Sequence, residues 1–301
     1  MTVSKKILHA ITPLKQMSPF DVNMAYDAGF DNVAIYTDVQ TDQVRALVQD
    51  SIFSRSPDDG KKTGIFIAGR DMHQSLEMLD IAKAAMLPPY ANSVFADPAG
   101  SFTTSAAMVA VTERALARAE KGNFKGKRVV IFGAMGIVGG AAGVICAKEG
   151  ATVVLVGHRD KASVEKRAQE FKDRYGVECE SADGTTEELR RSLLGDAEVV
   201  FCAARAGVRV LTLEDYKHAP KLLAIADVNA VPPLGAEGVE LMDDGKIIDG
   251  TSIAGIGALA VGDIKSLCQR DLLRQMYSSP EQVYLDFTHA YTSARRLAGL
   301  K

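Results

Sequence analysis

Four short runs in the second half of the chain do most to limit what it can fold into: RVVIFG, TVVLVG, EVVFCA and LLAIADV. Each is rich in valine, isoleucine and leucine and barely alternates with polar residues. A strand with one wet face alternates, whereas a strand covered on both faces does not. Such runs are therefore read as parallel strands lying between layers of helix. The stretches between them carry helix patterns, at Gly136–Lys148, Lys161–Tyr175 and Thr185–Leu194. The last opens with Thr185 and Glu188 at capping-box spacing. Strand and helix in regular succession predict a wound α/β sheet.

The first half repeats this logic. KILHAI, NVAIY, TGIFIA and NSVFAD are strand candidates. Between them, SPFDVNMAYDAG is a helix that Ser18 can cap, that Pro19 can start and that Gly29 can end. TDQVRALVQDSIF and DMHQSLEMLDIAKAAM follow as helices, and a long helix is predicted from about Thr103 to Lys121. Met72, Leu76, Leu79 and Met86 recur near helical spacing and read as core. The polar break EKGNFKGK separates the halves. Two tail helices, about Asp263–Tyr277 and Pro280–Leu297, are read as packing back on the first part. The fold expected is α/β, with two doubly wound domains and a cleft between them. Residues 1–121 with 270–301 form one domain. Residues 122–269 form the other, a Rossmann-like dinucleotide-binding domain.

Composition excludes several functions. The net charge of −3 offers no basic footprint for nucleic acid. No apolar run approaches the roughly 20 residues that span a bilayer. The opening MTVSKKILHA lacks a signal-peptide core and reads directly as a strand. Cys146, Cys179, Cys202 and Cys268 lie far apart, without a CxxC pair, and read as reduced, packed thiols. A cytoplasmic enzyme or binding protein is expected.

The run RVVIFGAMGIVGG breaks from strand into a glycine turn and then into helix. Its pattern is Gly133-Ala134-Met135-Gly136-Ile137-Val138-Gly139. Gly136 lets backbone come close to a pyrophosphate, and Gly139 lets the helix pack on the strand. Free N–H groups of the first helical turn then face the phosphates. Ala134 stands where the fingerprint has its first glycine, and Gly133 just before it can supply the turn. Tight strand–helix packing alone would also use these glycines. The strand–turn–helix context favours a dinucleotide.

The second strand of this domain ends Gly157-His158-Arg159-Asp160. NAD sites place an acid at this strand end, and NADP sites leave it open and bring an arginine to the 2′-phosphate. Gly157 leaves space and Arg159 offers the planar cation. NADP is the expected cofactor, with NAD also possible. Asp160 would reach a ribose hydroxyl only if the loop turns, and His158 is placed to stack near adenine or to stand on the surface.

Four further stretches carry polar groups where strands end: TPLKQMSPFDVNMAYDAG, FADPAGSFTTSAA, ADVNAVPPLG and GIGALAVGDIKSLCQR. With the glycine turn, they resemble the NAD(P)-dependent methylene-tetrahydromethanopterin dehydrogenases of methylotrophic bacteria, in the branch using either NAD or NADP. The likeness covers nearly the whole chain. It implies a cofactor on the second domain, a reduced pterin between the domains, a cytoplasmic homo-oligomer, and one-carbon (formaldehyde) oxidation. The reaction implied removes hydride from a methylene carbon bridging two nitrogens, leaving a methenyl cation.

That chemistry needs neither a protein nucleophile nor a metal, and no metal-ligand cluster is read in the chain. The donor carbon must sit about 3–3.5 Å from the nicotinamide with water excluded. A carboxylate would stabilise the growing positive charge. Asp21 is the first candidate and Asp97 the second. Asp21 could also be an ordinary acid of a first helical turn. Lys265 matches the active-site lysine that the resemblance implies. An ammonium beside a forming cation is unfavourable, so Lys265 is read as orienting the pterin by hydrogen bonding. Lys15, Asp97, Gly100, Ser101, Thr103 and Thr104 are the remaining candidates for the pterin. Ser101 or Thr103 could equally cap the helix that begins there. Asn229 and Pro232, with Pro233, are expected to shape the nicotinamide pocket.

Three rival readings share this architecture. A methylene-tetrahydrofolate dehydrogenase would handle a similar pterin head. A shikimate-dehydrogenase-like enzyme would cast Lys15 and Asp97 in proton transfer, but its surrounding motifs do not fit. A non-catalytic NADP-binding redox sensor would keep the glycine turn without needing polar groups at so many strand ends.

Overall fold

The computed structural model describes residues 4–300. By its internal contacts the chain forms two compact units. One runs to Thr103 and includes Ser266–Ser293; the other is Thr104–Lys265 with the chain from Ala294 on. Among the described residues, no helix is long and apolar enough to cross a membrane.

The first unit is wound around β1 (Ile7–Ile11). Then follow α1 (Pro19–Ala28), β2 (Asn32–Tyr36), α2 (Val44–Phe53), the single turn α3 (Pro57–Gly60), β3 (Thr63–Ile67), α4 (Met72–Ala84) and β4 (Ser93–Ala96). Helix α5 (Ser101–Arg118) leaves this unit near its start. Ser18 holds the N-cap position of α1, although its side chain makes no capping bond. Gly29 ends the helix at φ 101°, in the left-handed region that glycine adopts without a Cβ penalty.

The second unit begins with β5 (Arg128–Phe132), α6 (Ile137–Lys148), β6 (Thr152–Gly157), α7 (Lys161–Tyr175) and β7 (Glu180–Asp183). It continues through α8 (Glu187–Leu193), β8 (Val199–Cys202), α9 (Leu213–Tyr216), β9 (Ala224–Asp227), β10 (Asp244–Ile247) and β11 (Ala254–Ile256). Helix α10 (Ala258–Ser278) carries the chain back to the first unit, where β12 (Tyr284–Leu285) and the start of α11 (Phe287–Leu297) belong. Phe124, in the polar break before β5, is fully buried against Phe201.

The first sheet has the order β12-β4-β3-β1-β2, and every pair is parallel. The second has the order β10-β11-β9-β8-β5-β6-β7, parallel except for β10. Val130, Val154, Val200 and Ile225 from its central strands are all buried, as unalternating runs require. Each contributes roughly 1.5–3 kcal/mol on burial.

Two helix predictions are corrected by hydrogen bonding. The cap of α8 is Thr186, which accepts from Leu189 N; Thr185 instead donates its N–H to Asp183 Oδ1 at 2.8 Å. The final helix starts at Phe287 rather than near Pro280. Val283 O accepts from Val94 N at 2.8 Å, so the preceding segment is drawn onto the edge of β4 as a strand.

Candidate functional sites

Ligands of wound sheets bind beyond the carboxyl ends of the strands, where the strand order reverses. In the second sheet this point lies between β5 and β8. The glycine turn leaves β5 there. Gly133 has φ 83°, and a Cβ on it would lie 2.3 Å from the backbone oxygen of Ala203. Gly133 therefore provides the left-handed turn, and Ala134, fully buried, has no need of it. A Cβ on Gly139 would stand 2.6 Å from Gly133 O, so this glycine serves helix–strand approach. Gly136 is the N-cap of α6, with its own N–H donated to Gly133 O at 2.9 Å. Ile137 and Val138 open the helix, where first-turn N–H groups lack intrahelical partners. Ser105 Oγ donates to Val138 O at 2.9 Å.

A cavity of about 590 Å³ extends from this turn across the ends of β5, β6 and β8. Met135, Gly136, His158 and Arg159 line it, as do Arg190 and Arg205, which the sequence reading did not single out. Among the described residues, four arginines and no carboxylate line this space. Arg209 is committed elsewhere, with Nε donating to Leu234 O at 2.6 Å and Nη1 3.4 Å from Glu237. The glycine cradle, the helix start and the positive lining suit a dinucleotide with its phosphates.

Asp160 does not turn toward a ribose position. Its Oδ1 accepts from Ser163 N at 2.7 Å, capping α7. Those bonds hold the carboxyl below its usual range. Asn229 is similarly used within the protein. Its Oδ1 accepts from Gly207 N at 3.2 Å and Val231 N at 2.9 Å, and its Nδ2 donates to Pro233 O. It ties the loop after β9, which includes the exposed Pro232, to the loop after β8. The buried Asp227 accepts from Asn229 N and Ala236 N, and burial raises its carboxyl above the usual range.

In the first sheet the order reverses between β1 and β3. A cavity of about 260 Å³ lies there. Thr12, Leu14 and Gln16 reach it from the loop after β1, Gly69 and Arg70 from beyond β3, and Ala99 from beyond β4. Asp21, only 6% exposed, faces it from the first turn of α1. Gln269 Nε2 donates to Asp21 Oδ1 at 2.9 Å. Lys15 is exposed on the same loop.

The loop after β4 is held from inside. Asp97 is fully buried, its Oδ1 accepting from Phe102 N at 2.9 Å and Thr103 N at 3.2 Å, its Oδ2 from Thr103 Oγ1 at 2.7 Å. Asp97 thus caps the start of α5, and the Thr103 hydroxyl donates to it. Ala99 is left at φ 52° and Gly100 at φ 63°. A non-glycine residue held in that region is strained, and such strain gathers at functional loops. Thr104 follows on α5, in the second unit. Lys265, 9% exposed, lies on α10 at the last position of that unit's main segment.

Comparison with known proteins decides the family. A curated relative from Methylorubrum extorquens, an NAD(P)-dependent methylenetetrahydromethanopterin dehydrogenase, is 51% identical over 99% of this chain and 100% of its own. The chain belongs to the methylenetetrahydromethanopterin dehydrogenase family. The family profile described as methylene-tetrahydromethanopterin dehydrogenase, N-terminal, matches residues 19–99, which hold Asp21, Asp97 and Ala99. A second relative from the same organism, the bifunctional protein MdtA, is 32% identical over 98% of this chain and 100% of its own. Among solved structures, shikimate 5-dehydrogenase from Listeria monocytogenes has the same fold, with a TM-score of 0.58 at 17% identity, covering 94% of each chain. The NAD-dependent malic enzyme of Thermotoga maritima aligns with a TM-score of 0.56 at 14% identity, covering 96% of this chain and 84% of that one.

Proposed function

We propose that the protein is an NAD(P)-dependent dehydrogenase that oxidises methylene-tetrahydromethanopterin to its methenyl form. The observation carrying this reading is the full-length 51% identity to a relative of that activity. The glycine cradle at Gly133 and the arginine-lined cavity support the cofactor half of it. When bound, nicotinamide takes up the hydride that leaves the methylene carbon, with the carbon's two nitrogens sharing the resulting positive charge.

The chain's own part is to bind, to orient and to stabilise charge. Gly133, Met135, Gly136 and the first turn of α6 hold the pyrophosphate, and His158 and Arg159 hold the adenosine end. The pterin occupies the cavity at the switch point of the first sheet. Asp21 faces that cavity, and its carboxylate offsets the positive charge that grows as hydride leaves. Gly100, Ser101 and Thr104 meet the polar edge of the pterin, on a loop that Asp97 and the fully buried Thr103, whose hydroxyl is given to Asp97, shape from within. Lys265 orients the pterin by hydrogen bonding, and Lys15, exposed on the loop after β1, binds it as well. The same reading makes the protein a cytoplasmic homo-oligomer working in one-carbon metabolism.

The test is an assay of the purified full chain with methylene-tetrahydromethanopterin and with methylene-tetrahydrofolate, each against NADP⁺ and NAD⁺. Reduced nicotinamide is expected with the methanopterin substrate. Turnover confined to the folate substrate would replace this reading with the rival dehydrogenase. Dinucleotide binding without turnover on either pterin would favour a redox sensor. Replacing Lys265 by Ala is expected to cut turnover and leave NADP⁺ affinity intact; wild-type turnover in that variant would remove Lys265 from the mechanism.

A further inference from the structure

The adenosine end of the dinucleotide cavity holds a residue with no assigned role. Arg190 lies on α8, two strands away in sequence from the glycine turn, yet it lines the same cavity as Arg159. A chain of short contacts sets its position. Gly157, the last residue of β6, pairs with Asp183 at the end of β7. Gly184 N then donates to Gly157 O at 2.8 Å. Arg190 Nη1 donates to Gly184 O at 3.0 Å. A Cβ on Gly184 would come 3.5 Å from Arg190 Cγ, so the arginine stem rests on this glycine. The guanidinium is thereby fixed next to the carboxyl end of β6, where sugar-phosphate selectivity is set. Arg190 as a whole is half-buried and lines the cavity, so guanidinium N–H groups other than the one given to Gly184 O can meet an anionic ligand there.

The surroundings exclude the arrangement that favours a plain ribose. A side chain at Gly157 would put its Cβ 2.5 Å from Val164 Cγ2 and 2.8 Å from Asp160 O, so no acid fits at the strand end. The nearby Asp160 is occupied in capping α7. Arg205 and Arg209 follow β8, on the other side of β5, and so lie away from this end of the cofactor. Arg159 remains on the loop after β6, and Arg190 on α8, the helix that follows β7.

We infer that Arg190 is a specificity-determining residue: with Arg159 it forms a two-guanidinium subsite for the 2′-phosphate of NADP. Arg159 comes from an exposed loop, whereas Arg190 is anchored by Gly184. The inference rests on the dinucleotide reading of the cavity. The phosphate monoester gains two planar donors, and the ribose hydroxyl of NAD gains no carboxylate. NADP is thus bound more tightly than NAD, with NAD still held by the glycine turn.

The test is calorimetric binding of NADP⁺, NAD⁺ and 2′,5′-ADP to the full chain and to Arg190→Ala and Arg190→Lys, with Tm measured for each. Loss of one charge-assisted pair is expected to weaken NADP⁺ and 2′,5′-ADP roughly 10- to 100-fold in Arg190→Ala. NAD⁺ affinity should stay within about twofold, less than a single hydrogen bond contributes. Arg190→Lys keeps charge without the fork and should lose less. Equal losses for NADP⁺ and NAD⁺ would make Arg190 a stacking or packing residue and overturn the inference, as would unchanged NADP⁺ affinity in a folded Arg190→Ala. If wild type bound neither dinucleotide, the cofactor reading itself would fail; binding by wild type with no selective loss refutes only the role of Arg190.

Discussion

Gln269 and Asp21 are 248 positions apart in sequence and joined at 2.9 Å, amide Nε2 to carboxylate Oδ1. Gln269 is fully buried on α10, and Asp21 sits in the first turn of α1. The bond fixes which way the carboxylate points within the cavity of the first unit. Gln269→Leu removes that donor while keeping an apolar volume. A hydrogen bond to a charged group contributes about 1.5–3 kcal/mol, so turnover should fall roughly 10- to 100-fold. NADP⁺ affinity should not change, because Gln269 and Asp21 both lie in the first unit. A fall in NADP⁺ affinity equal to the fall in kcat would show a general loss of folding rather than misplacement of Asp21.

The glycine turn yields a paired prediction. Gly133→Ala forces a side chain onto φ 83° and onto the backbone of Ala203 at 2.3 Å. The left-handed conformation alone costs roughly 1–2 kcal/mol, and a backbone neighbour cannot swing aside. Dinucleotide binding is expected to be lost, as titration of NADP⁺ would reveal. Ala134→Gly, which restores the fingerprint glycine, should bring no gain in NADP⁺ affinity. It removes a fully buried methyl and loosens the unfolded chain, so it should lower stability by about 1–2 kcal/mol. Tighter NADP⁺ binding in Ala134→Gly would mean that Ala134 compromises the turn.

How much was readable from sequence follows from the range of the forces involved. The strands of the second sheet were legible because burial on both faces writes itself locally, as in RVVIFG and TVVLVG. The glycine turn was legible because its strand–turn–helix context and the close approach of Gly139 to Gly133 are local, although the backbone that crowds Gly133 is that of Ala203, far along the chain. Arg190 was not, since only the stacking of Gly184 on the end of β6 brings it to the cavity. Gln269 was not, because its partner lies on the far side of the chain's return. Asp160 caps α7 through Ser163, three residues on, a local bond that an acid at this spacing can make. At the tail, helix-like composition gave way to pairing of Tyr284 and Leu285 with β4, a tertiary effect overriding local preference.

His9 gives the first unit a pH dependence. It stands on β1 with Nδ1 3.1 Å from Tyr36 Oη, beside a cavity of about 280 Å³ also lined by Asp50 and Ser54. Burial, and then repulsion from Arg55, lower its pKa below the ordinary 6.5. The neutral ring is favoured in the folded state, so the unfolded chain binds the proton first as pH falls. Stability is therefore full above about 6.5 and declines as pH drops from there toward the folded-state value. Tm measured from neutral to mildly acidic pH should fall more steeply for wild type than for His9→Gln. Parallel curves for the two proteins would show that His9 titrates alike folded and unfolded.

Asp160 separates two roles that sequence alone leaves open, because its capping bonds to Ser163 are made without any ligand. If capping is its whole contribution, Asp160→Ala should lower Tm slightly through the loss of the α7 cap. Asp160→Asn, which keeps an accepting oxygen, should recover most of that loss. Neither substitution should alter the ratio of NAD⁺ to NADP⁺ affinity, since the carboxylate makes no ribose contact in this arrangement. Selective weakening of NAD⁺ in both variants would instead show that the loop turns on binding and that the acid reaches the ribose. The same measurement thus decides whether NAD is held by the glycine turn alone or by a carboxylate that leaves its helix to meet it.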